Sequence, residues 1–491
     1  MRKRAVGISR ASRGLIEIKS RFYRGLVGVF ILLSGNLGAV SPTRTLPIVY
    51  VNTQNGREVT DTETQIPATV YIDSVLSEYR SLGSAAAPVP ATIKGRGNWT
   101  WTGFDKKPYK LKFDVKQKVL GMPNNRHWCL LACADDYLGF LKNPTGYMLS
   151  EALGLRWTPR QVPVELVLNG TYLGLYFLTE HVRIAKNRVN IVEQADNSTH
   201  ADSITGGWLV EIDNYPSEGN IVLDEPDGSE RVMITLKEPE VLSTAQRSYI
   251  ENQLHTLNDA LFDFDAPLPE MLDLDEAAKY YIVQEIMEDC ESYHGSCFLY
   301  KDRDSLGVAD KWKFGPVWDF GNAYDRYKYG YVEAFIYIQP SFTQHWIGQL
   351  AQWPAFQQKV EENWYVFYHQ HKDSVREQVG TFASRLTKAA KNDAELWRDS
   401  RNYCSGQGDN ADMNEKLKKL YRRYDWRIDW LYSQWGEGVP PTEDLNSEWT
   451  NGRTDEAVRK MLQPNGRVII LRNGRAYDIM GRELGRSEEQ H

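Results

Sequence analysis

Strand-like sequence dominates the first half of this chain and helical sequence the second half, and that order limits the folds open to it. Short β-branched runs alternate with polar turns from about residue 46 to residue 236, whereas helical, Trp- and Tyr-rich sequence fills about 342–435. The chain has 491 residues, 42% of them apolar and 25% charged, so it can bury a large core. We therefore expect a globular α+β protein with a mixed or antiparallel sheet and a helical C-terminal part.

Three local patterns are specific enough to predict individual elements. Asn169-Gly170 between two apolar runs predicts a β-hairpin. The apolar stripe of the segment 274–289, preceded by Asp273 with Glu276 three residues later, predicts a capped helix. Asn473-Gly474 predicts a second hairpin in the tail, which we interpret as a small separate module.

The N-terminal segment has the pattern of a secretory signal. Eight Lys or Arg residues precede the apolar run 26–33, and Gly38-Ala39 follow it. A run of about 8 apolar residues is too short to span a bilayer, which needs about 20. We expect cleavage near Val40 or Ser41, no membrane span in the mature chain, and a location in the periplasm, at the cell surface or outside the cell.

Charge and cysteine content exclude two classes of function. The formal net charge is −7, and without the first 39 residues 50 Lys and Arg stand against 64 Asp and Glu. So acidic a body is not typical of a nucleic-acid binder. The five cysteines form no CxxC pair, so a zinc site is not indicated. Cys129 with Cys133 and Cys290 with Cys297 are possible disulfides, but buried free thiols are the simpler interpretation.

The segment 94–113 is a local concentration of positive charge, with six bases and one acid. Glycines on both sides of Arg96 allow backbone N–H groups to approach a phosphate. Lys110 and Lys112 are two residues apart on a predicted strand and therefore share a face, while Lys107 lies just before them. The segment predicts an anion site, although an edge strand that carries lysines against aggregation would have the same pattern.

A second group of candidate residues is acidic. Glu285, Glu288, Asp289 and Glu291 lie at the end of the predicted helix, where the helix dipole disfavours carboxylates. A predicted hairpin follows and ends at Asp319, and the antiparallel pairing should bring Glu291 and Asp319 to the same end. Two carboxylates beside a basic strand suit a metal-bound nucleotide, whereas an ordinary turn aspartate is the alternative for Asp319.

Two lesser candidates are less specific. Glu180 could form an ion pair with Lys110 and hold it toward a phosphate, or it could form an ordinary surface ion pair. Asp135-Asp136 is a second acidic pair. No GxSxG motif is present, which disfavours an α/β-hydrolase.

Several long motifs in this order resemble the spore coat protein H (CotH) kinase family. The resemblance covers about residues 93–325 and rests on Gly95-Arg96-Gly97-Asn98, Lys106-Lys107-Pro108-Tyr109-Lys110-Leu111-Lys112, 164–180, Asn187-Arg188-Val189-Asn190 and Phe314-Gly315-Pro316-Val317-Trp318-Asp319-Phe320. It implies a divergent protein-kinase-like fold. It also implies an activity, the transfer of phosphate from ATP to Ser or Thr of secreted or surface proteins, with Mg²⁺ or Mn²⁺. The tail hairpin more loosely resembles short modules of secreted Bacteroidetes proteins.

The resemblance also implies roles for individual residues. Asp319 matches the metal-binding Asp of the family's WDFD motif, and Glu291 and Asp289 fall where the family has the catalytic Asp and the Asn of an Asn-x-Asp pattern. Arg96, Lys107, Lys110, Lys112 and Glu180 are the expected nucleotide-binding residues. Gly321 replaces the second Asp of WDFD, and Lys142-Asn143 stands where Arg-Asn is usual.

The implied organisation is a signal peptide over 1–40, an N-terminal β segment over 41–90, a CotH kinase-like domain over 91–437, and a linker with the hairpin module over 438–491. Three functions follow from these residues. The first is an exported protein kinase. The second is a catalytically weak relative that serves as a surface-binding or structural protein, which the altered motif positions would explain. The third is a polysaccharide-active enzyme with paired carboxylates and aromatic platforms.

Overall fold

The computed structural model describes most of the chain after the first 39 residues. The described residues are 40–441 except 75, 216–218, 225–230, 290, 306, 326–332, 339–344 and 403–411, together with the backbone of four strands between 458 and 486. The expected signal peptide lies outside them. They form two compact units, one extending to Pro441 and one from Thr442 onward.

The first unit begins with seven strands that close into a barrel. They are β1 (Ile48–Thr53), β2 (Ile66–Asp73), β3 (Val89–Gly95), β4 (Tyr109–Gln117), β5 (Asn125–Leu131), β6 (Gln161–Leu168) and β7 (Thr171–Glu180), with a short helix α1 (Trp99–Gly103) between β3 and β4. The barrel order is β1-β2-β3-β4-β5-β7-β6. All neighbours pair antiparallel except β1 and β6, whose parallel pairing closes the barrel.

Alternating apolar residues explain why these strands close on themselves. Val49, Val51, Leu111 and Trp128 belong to one buried cluster that receives side chains from every barrel strand. Closure leaves no unpaired edge on this sheet. The predicted hairpin at Asn169-Gly170 is confirmed between β6 and β7, and both turn residues have the positive φ angles that this sequence adopts readily.

A second, five-stranded sheet has the order β12-β11-β8-β10-β9. Its strands are β8 (Trp208–Ile212), β9 (Ile221–Asp224), β10 (Arg231–Glu238), β11 (Cys297–Lys301) and β12 (Lys313–Phe314). The expected hairpin between β11 and β12 is confirmed by the antiparallel pairs Leu299 with Phe314 and Tyr300 with Lys313.

Eight further α-helices lie in the described part of the first unit. They are α2 (Lys142–Ala152), α3 (Thr244–Phe262), α4 (Leu268–Met271), α5 (Leu274–Met287), α6 (His345–Leu350), α7 (Pro354–Gln370), α8 (Lys372–Leu396) and α9 (Met413–Trp435). Helix α5 is the predicted one, and the Asp273 side chain caps it by accepting from the backbone N–H of Glu276. The Glu276 carboxylate accepts instead from the N–H of Arg156, so the second half of the predicted capping box is not formed.

A buried ion pair joins the barrel to the helices. Lys106, just before β4, lies 2.8 Å from Asp393 of α8, and both side chains are fully buried. Asp393 also accepts a hydrogen bond from the backbone N–H of Leu175 in β7. Replacement of one partner would leave the other charged in the interior, so this contact fixes α8 on the barrel wall.

The second unit contains β13 (Val458–Leu462), β14 (Val468–Arg472), β15 (Arg475–Tyr477) and β16 (Glu483–Arg486) in one antiparallel sheet. Arg472 pairs with Arg475, which confirms the predicted tail hairpin, although its two turn residues lie outside the described ones.

The α+β class with a mixed sheet is confirmed, whereas the closed barrel was not expected from the sequence. The boundary predicted after residue 90 stays a prediction; β1 and β2 before it belong to the same barrel as the strands after it. Cys129, Cys133 and Cys297 are free thiols, while Cys290 and Cys404 lie outside the described residues. Within the described part, no helix is long and apolar enough to cross a membrane.

Candidate active site

The outer face of the barrel carries a row of cations. Lys94 of β3 lies opposite Lys110 of β4, and Lys110 lies opposite Cys129 of β5. Leu111, the next residue on β4, is buried in the barrel interior. Because side chains alternate along a strand, Lys110 and Lys112 share the outer face, as their spacing predicts.

The basic face, which consists of Lys94, Arg96, Lys110 and Lys112, concentrates unneutralised positive charge. Burial lowers the pKa of Lys110, and the neighbouring cations Lys94 and Arg96 lower it further. Lys110 forms no hydrogen bond or ion pair with any residue that the structure describes. A half-buried ammonium group in these surroundings suits an anionic ligand.

Two histidines beside the basic face respond to the same positive potential. Burial lowers the pKa of His127 to about 3, and the charges of Arg183 and Lys110 contribute. Burial lowers the pKa of His181 well below its usual value, and Lys110 again contributes. Both imidazoles are therefore neutral at pH 7, so the positive charge of this face belongs to Lys and Arg side chains.

Lys107, one of the expected nucleotide-binding residues, already has partners. Its ammonium group donates to the backbone carbonyl of Trp101 at 2.5 Å and to that of Phe104. It also lies 5.4 Å from the centroid of the Trp101 ring. These contacts favour a structural role, in which Lys107 closes the loop around α1.

Glu180 does not form the expected ion pair with Lys110. Glu180 lies opposite Trp128 in the strand register and is fully buried, whereas Lys110 is in register with Thr179 through β5 and points to the other face. The carboxylate of Glu180 accepts from the backbone N–H of Arg160 at 3.0 Å and lies 3.9 Å from the guanidinium of Arg188. Alternation along β7 is the physical reason for the difference.

An acidic cluster, defined here as Asp289, Glu291 and Asp319, lies at the end of the β11–β12 hairpin. Glu291 precedes β11 and Asp319 follows β12, so the antiparallel pairing brings them together, as predicted. The amide of Asn214 donates to one Glu291 oxygen at 3.0 Å, and the amide of Asn322 donates to the other. The Asp319 side chain is exposed to solvent.

Burial and neighbouring negative charge raise the pKa of Glu291 and of Asp289. Burial raises the pKa of Glu291, and the charge of Asp319 raises it further. Burial, with the charges of Glu291 and Asp319, raises the pKa of Asp289 well above its usual value. One oxygen of Asp289 accepts from the backbone N–H of Glu291 at 3.3 Å, while the other is buried and has no hydrogen-bond partner within the described structure.

The N-terminal turn of α2 holds the segment after Asp319 in place. Asn143 accepts a hydrogen bond from the backbone N–H of Phe320 at 2.9 Å. Lys142 is buried and donates to the carbonyl of Gly321 and to the carboxylate of Asp325, both at 2.7 Å. The sequence marked Lys142-Asn143 only as a departure from a family pattern, and only the structure shows what these side chains hold.

The basic face and the acidic cluster meet at Trp318. The guanidinium of Arg96 lies 5.4 Å from the centroid of the Trp318 ring, one residue before Asp319. Tyr147 of α2 lies close to both sides: burial raises its pKa, the charge of Asp319 raises it further, and Arg96 lowers it. No pattern in the sequence points to Tyr147.

Asp135, a lesser candidate in the sequence, lies beside the acidic cluster. A Cβ atom on Gly321 would lie 2.6 Å from a carboxylate oxygen of Asp135 and 3.2 Å from one of Asp319. Burial raises the pKa of Asp135 to about 7, with a further contribution from Asp319. Asp319 thus interacts electrostatically with three other carboxylates, those of Asp135, Asp289 and Glu291.

These residues fit a nucleotide-bound divalent cation better than a permanent metal centre. No group of three His, Cys, Asp or Glu side chains that could hold a metal ion occurs among the described residues. Mg²⁺ in nucleotide sites is typically held by one or two carboxylates with phosphate oxygens and water. The exposed carboxylate of Asp319 and the unpartnered buried oxygen of Asp289 are suitable donors for such an ion.

The fold and site define an α+β protein in which a cationic barrel face adjoins a group of carboxylates. The family model for CotH kinase protein matches residues 93–431, which is more than half of the chain, and the chain therefore belongs to this family. No curated protein matches the sequence.

Proposed function

We propose that this chain is a metal-dependent protein kinase that transfers the γ-phosphate of ATP to Ser or Thr hydroxyls. The family gives the kinase class. The observation that carries the finer proposal is the contact of Arg96 with Trp318, because it places a cation of the basic face against the residue directly before Asp319, whose side chain is exposed. A triphosphate with its counter-cation needs both charges side by side.

In this proposal the basic face binds the phosphates through Arg96, Lys110 and Lys112. Asp319 holds Mg²⁺ or Mn²⁺, which when bound neutralises charge on the phosphates. Phosphoryl transfer requires mainly positioning and electrostatic stabilisation, and the partly buried cations of the basic face provide the electrostatic stabilisation. Lys107 and Glu180 contribute through the loop and strand that they stabilise.

Glu291 is the proposed general base for the acceptor hydroxyl. The pKa of Glu291 is raised toward neutral pH, which makes its carboxylate a stronger base than that of an ordinary glutamate. Asp289 acts as a positioning residue because it accepts the backbone N–H of Glu291. We propose that the barrel and the helical part correspond to the two lobes of a divergent kinase-like fold.

The proposed acceptors are secreted or cell-surface proteins. This part of the proposal rests on the signal-like sequence before residue 41, which predicts export to the periplasm, the cell surface or the medium.

The test is transfer of labelled γ-phosphate to the chain itself and to a library of Ser- and Thr-containing peptides, with Mg²⁺ or Mn²⁺. We expect incorporation by the wild type and its loss by at least about 100-fold in Asp319→Ala. Asp399→Ala, which removes an exposed carboxylate after α8, is the matched control and should retain activity. Equal incorporation by the two variants would contradict the assignment.

A second candidate function, a nucleotide-binding protein with little or no turnover, is favoured by one observation. Both oxygens of Glu291 already accept hydrogen bonds from the amides of Asn214 and Asn322, which reduces their availability as a base. Metal-dependent ATP binding without phosphate incorporation into any peptide would support this alternative.

A further inference from the structure

Gly321 stands where the family's WDFD motif has its second Asp, but local backbone strain does not require glycine there. The φ angle of Gly321 lies outside the left-handed region, so its backbone could carry a side chain. Space is the obstacle. A Cβ atom would lie 2.6 Å from a carboxylate oxygen of Asp135, so that carboxylate would have to shift to admit a side chain.

Asp135 therefore occupies the space that a side chain at residue 321 would need. The same Cβ position lies 3.2 Å from a carboxylate oxygen of Asp319, so oxygens of Asp135 and Asp319 lie close to the same point. Asp135 comes from the loop between β5 and α2, about 180 residues away along the chain. The motif lacks a carboxylate at residue 321, but the carboxylate of Asp135 lies beside that position.

Its neighbour Asp136 shows what a structural aspartate looks like in this loop. Asp136 is buried and accepts from the backbone N–H groups of Leu138 at 2.8 Å and Lys142 at 3.0 Å, so it organises the start of α2. Asp135 has no hydrogen bond or ion pair with another residue of the described structure. The contrast leaves Asp135 free to bind a ligand.

Two polar atoms near Asp319 also lack partners. One oxygen of Asp289 and the hydroxyl of Tyr147 have no hydrogen-bond partner within the described part of the chain, and their residues are 0% and 4% exposed. Both interact electrostatically with Asp319. Buried polar atoms without partners are costly, so their presence near Asp319 indicates a site completed by a bound group.

We propose that Asp135 supplies the second carboxylate of the divalent-cation site, in place of the side chain that Gly321 lacks. The inference rests on the proposed nucleotide-binding function. It makes the altered motif compatible with metal binding, because the ligand has moved to another segment of the chain while its position in space is kept. One or two carboxylates are sufficient for Mg²⁺ or Mn²⁺ that is also bound by phosphates.

The test is Mn²⁺ binding in the presence of a non-hydrolysable ATP analogue, followed by the electron paramagnetic resonance signal of free Mn²⁺. We expect the wild type and Asp399→Asn to bind equally and Asp135→Asn to bind at least about tenfold more weakly. The Asn variant keeps the size of the side chain, and its unfolding midpoint without metal checks that it is folded.

A carboxylate exchange gives the decisive comparison. Gly321→Asp alone should lower the unfolding midpoint, because it displaces the Asp135 carboxylate and adds a further negative charge beside Asp319 and Asp135. Asp135→Ala combined with Gly321→Asp should restore both the midpoint and Mn²⁺ binding. Unchanged binding in Asp135→Asn, or a folded double variant that binds no better than it, would overturn the inference. Absence of Mn²⁺ binding by the wild type would instead count against the proposed function.

Discussion

Lys107 and Lys110 lie three residues apart in the same motif, but their ammonium groups have different surroundings. Lys107 donates to two backbone carbonyls, whereas Lys110 lies on the basic face without a hydrogen bond in the described structure. The motif alone predicts a similar role for both. Their contacts separate a structural lysine from a lysine that is available to a ligand.

Replacement of each lysine by methionine should produce opposite results. Lys110→Met should weaken metal-dependent ATP binding about 10- to 100-fold, the effect of one hydrogen bond to a charged group, and leave the unfolding free energy nearly unchanged. Lys107→Met should lower the unfolding free energy by about 1–3 kcal/mol because two carbonyls lose their donor. Calorimetric titration and urea unfolding measure the two effects; a loss of binding confined to Lys107→Met would contradict the assignment.

The sequence does not predict which side chains share a face of the sheet when their strands are distant in the chain. The hairpin that joins Glu291 to Asp319 is local, so its geometry followed from turn signals and alternation. The orientation of Glu180 relative to Lys110 depends on β5, which lies between their strands, and local alternation does not fix that register.

At the scale of elements, helix α5 carries a buried acidic side chain in its first turn. Glu276 in its first turn is 4% exposed and accepts from the N–H of Arg156 at 2.8 Å. Burial raises its pKa to about 7, while Arg156 acts in the opposite direction. The native state therefore holds this proton more tightly than the unfolded chain does, so ionisation destabilises the protein as the pH rises from about 4.3 to 7.

Glu276→Gln removes that ionisation and should alter the pH dependence of stability. Near pH 5 the native wild-type side chain is still protonated and only a small part of this destabilisation has developed, so the unfolding midpoints of the two proteins should differ least there. Above pH 7 the wild-type carboxylate is charged, and the variant should be the more stable one. Unfolding midpoints between pH 5 and pH 8 measure the difference, and a difference that stays constant across this range would contradict the raised pKa.

The contact between the barrel and α8 depends on one buried ion pair. Lys106→Met should lower the unfolding free energy by about 3–5 kcal/mol, because Asp393 then remains charged and buried. Lys106→Met combined with Asp393→Asn should recover part of that loss, since the amide is neutral and can still accept from the N–H of Leu175. Urea unfolding gives both values; a double variant less stable than Lys106→Met would contradict this account.

Local elements were predictable, whereas closure of the barrel was not. The β6–β7 hairpin, the helix α5 and the β11–β12 hairpin each follow from a turn signal or an apolar period within one short segment. Closure depends on parallel pairing of Ile48 with Glu165, more than 100 residues apart, and the strand sequences carry no signal for that partner. The proximity of Asp135 to Gly321 was not predictable for the same reason, because the two residues are far apart in the sequence.

At the scale of the whole molecule, the barrel contributes cations and the second sheet and helices contribute carboxylates. Neither set alone suits a nucleotide with its metal ion. The two sets meet at Arg96 and Trp318, and α2 supports the carboxylate side through Asn143 and Lys142. The account therefore makes binding of nucleotide and metal interdependent.

Thermal unfolding with ATP and Mg²⁺, added separately and together, tests this claim most directly. Ligand at 100 times its dissociation constant should stabilise the native state by about 2.7 kcal/mol. We expect a clear rise in the unfolding midpoint with ATP and Mg²⁺ together, a smaller rise with either alone, and loss of the combined effect in Asp319→Ala. An unfolding midpoint that does not respond to ATP with Mg²⁺ or Mn²⁺ would contradict the account.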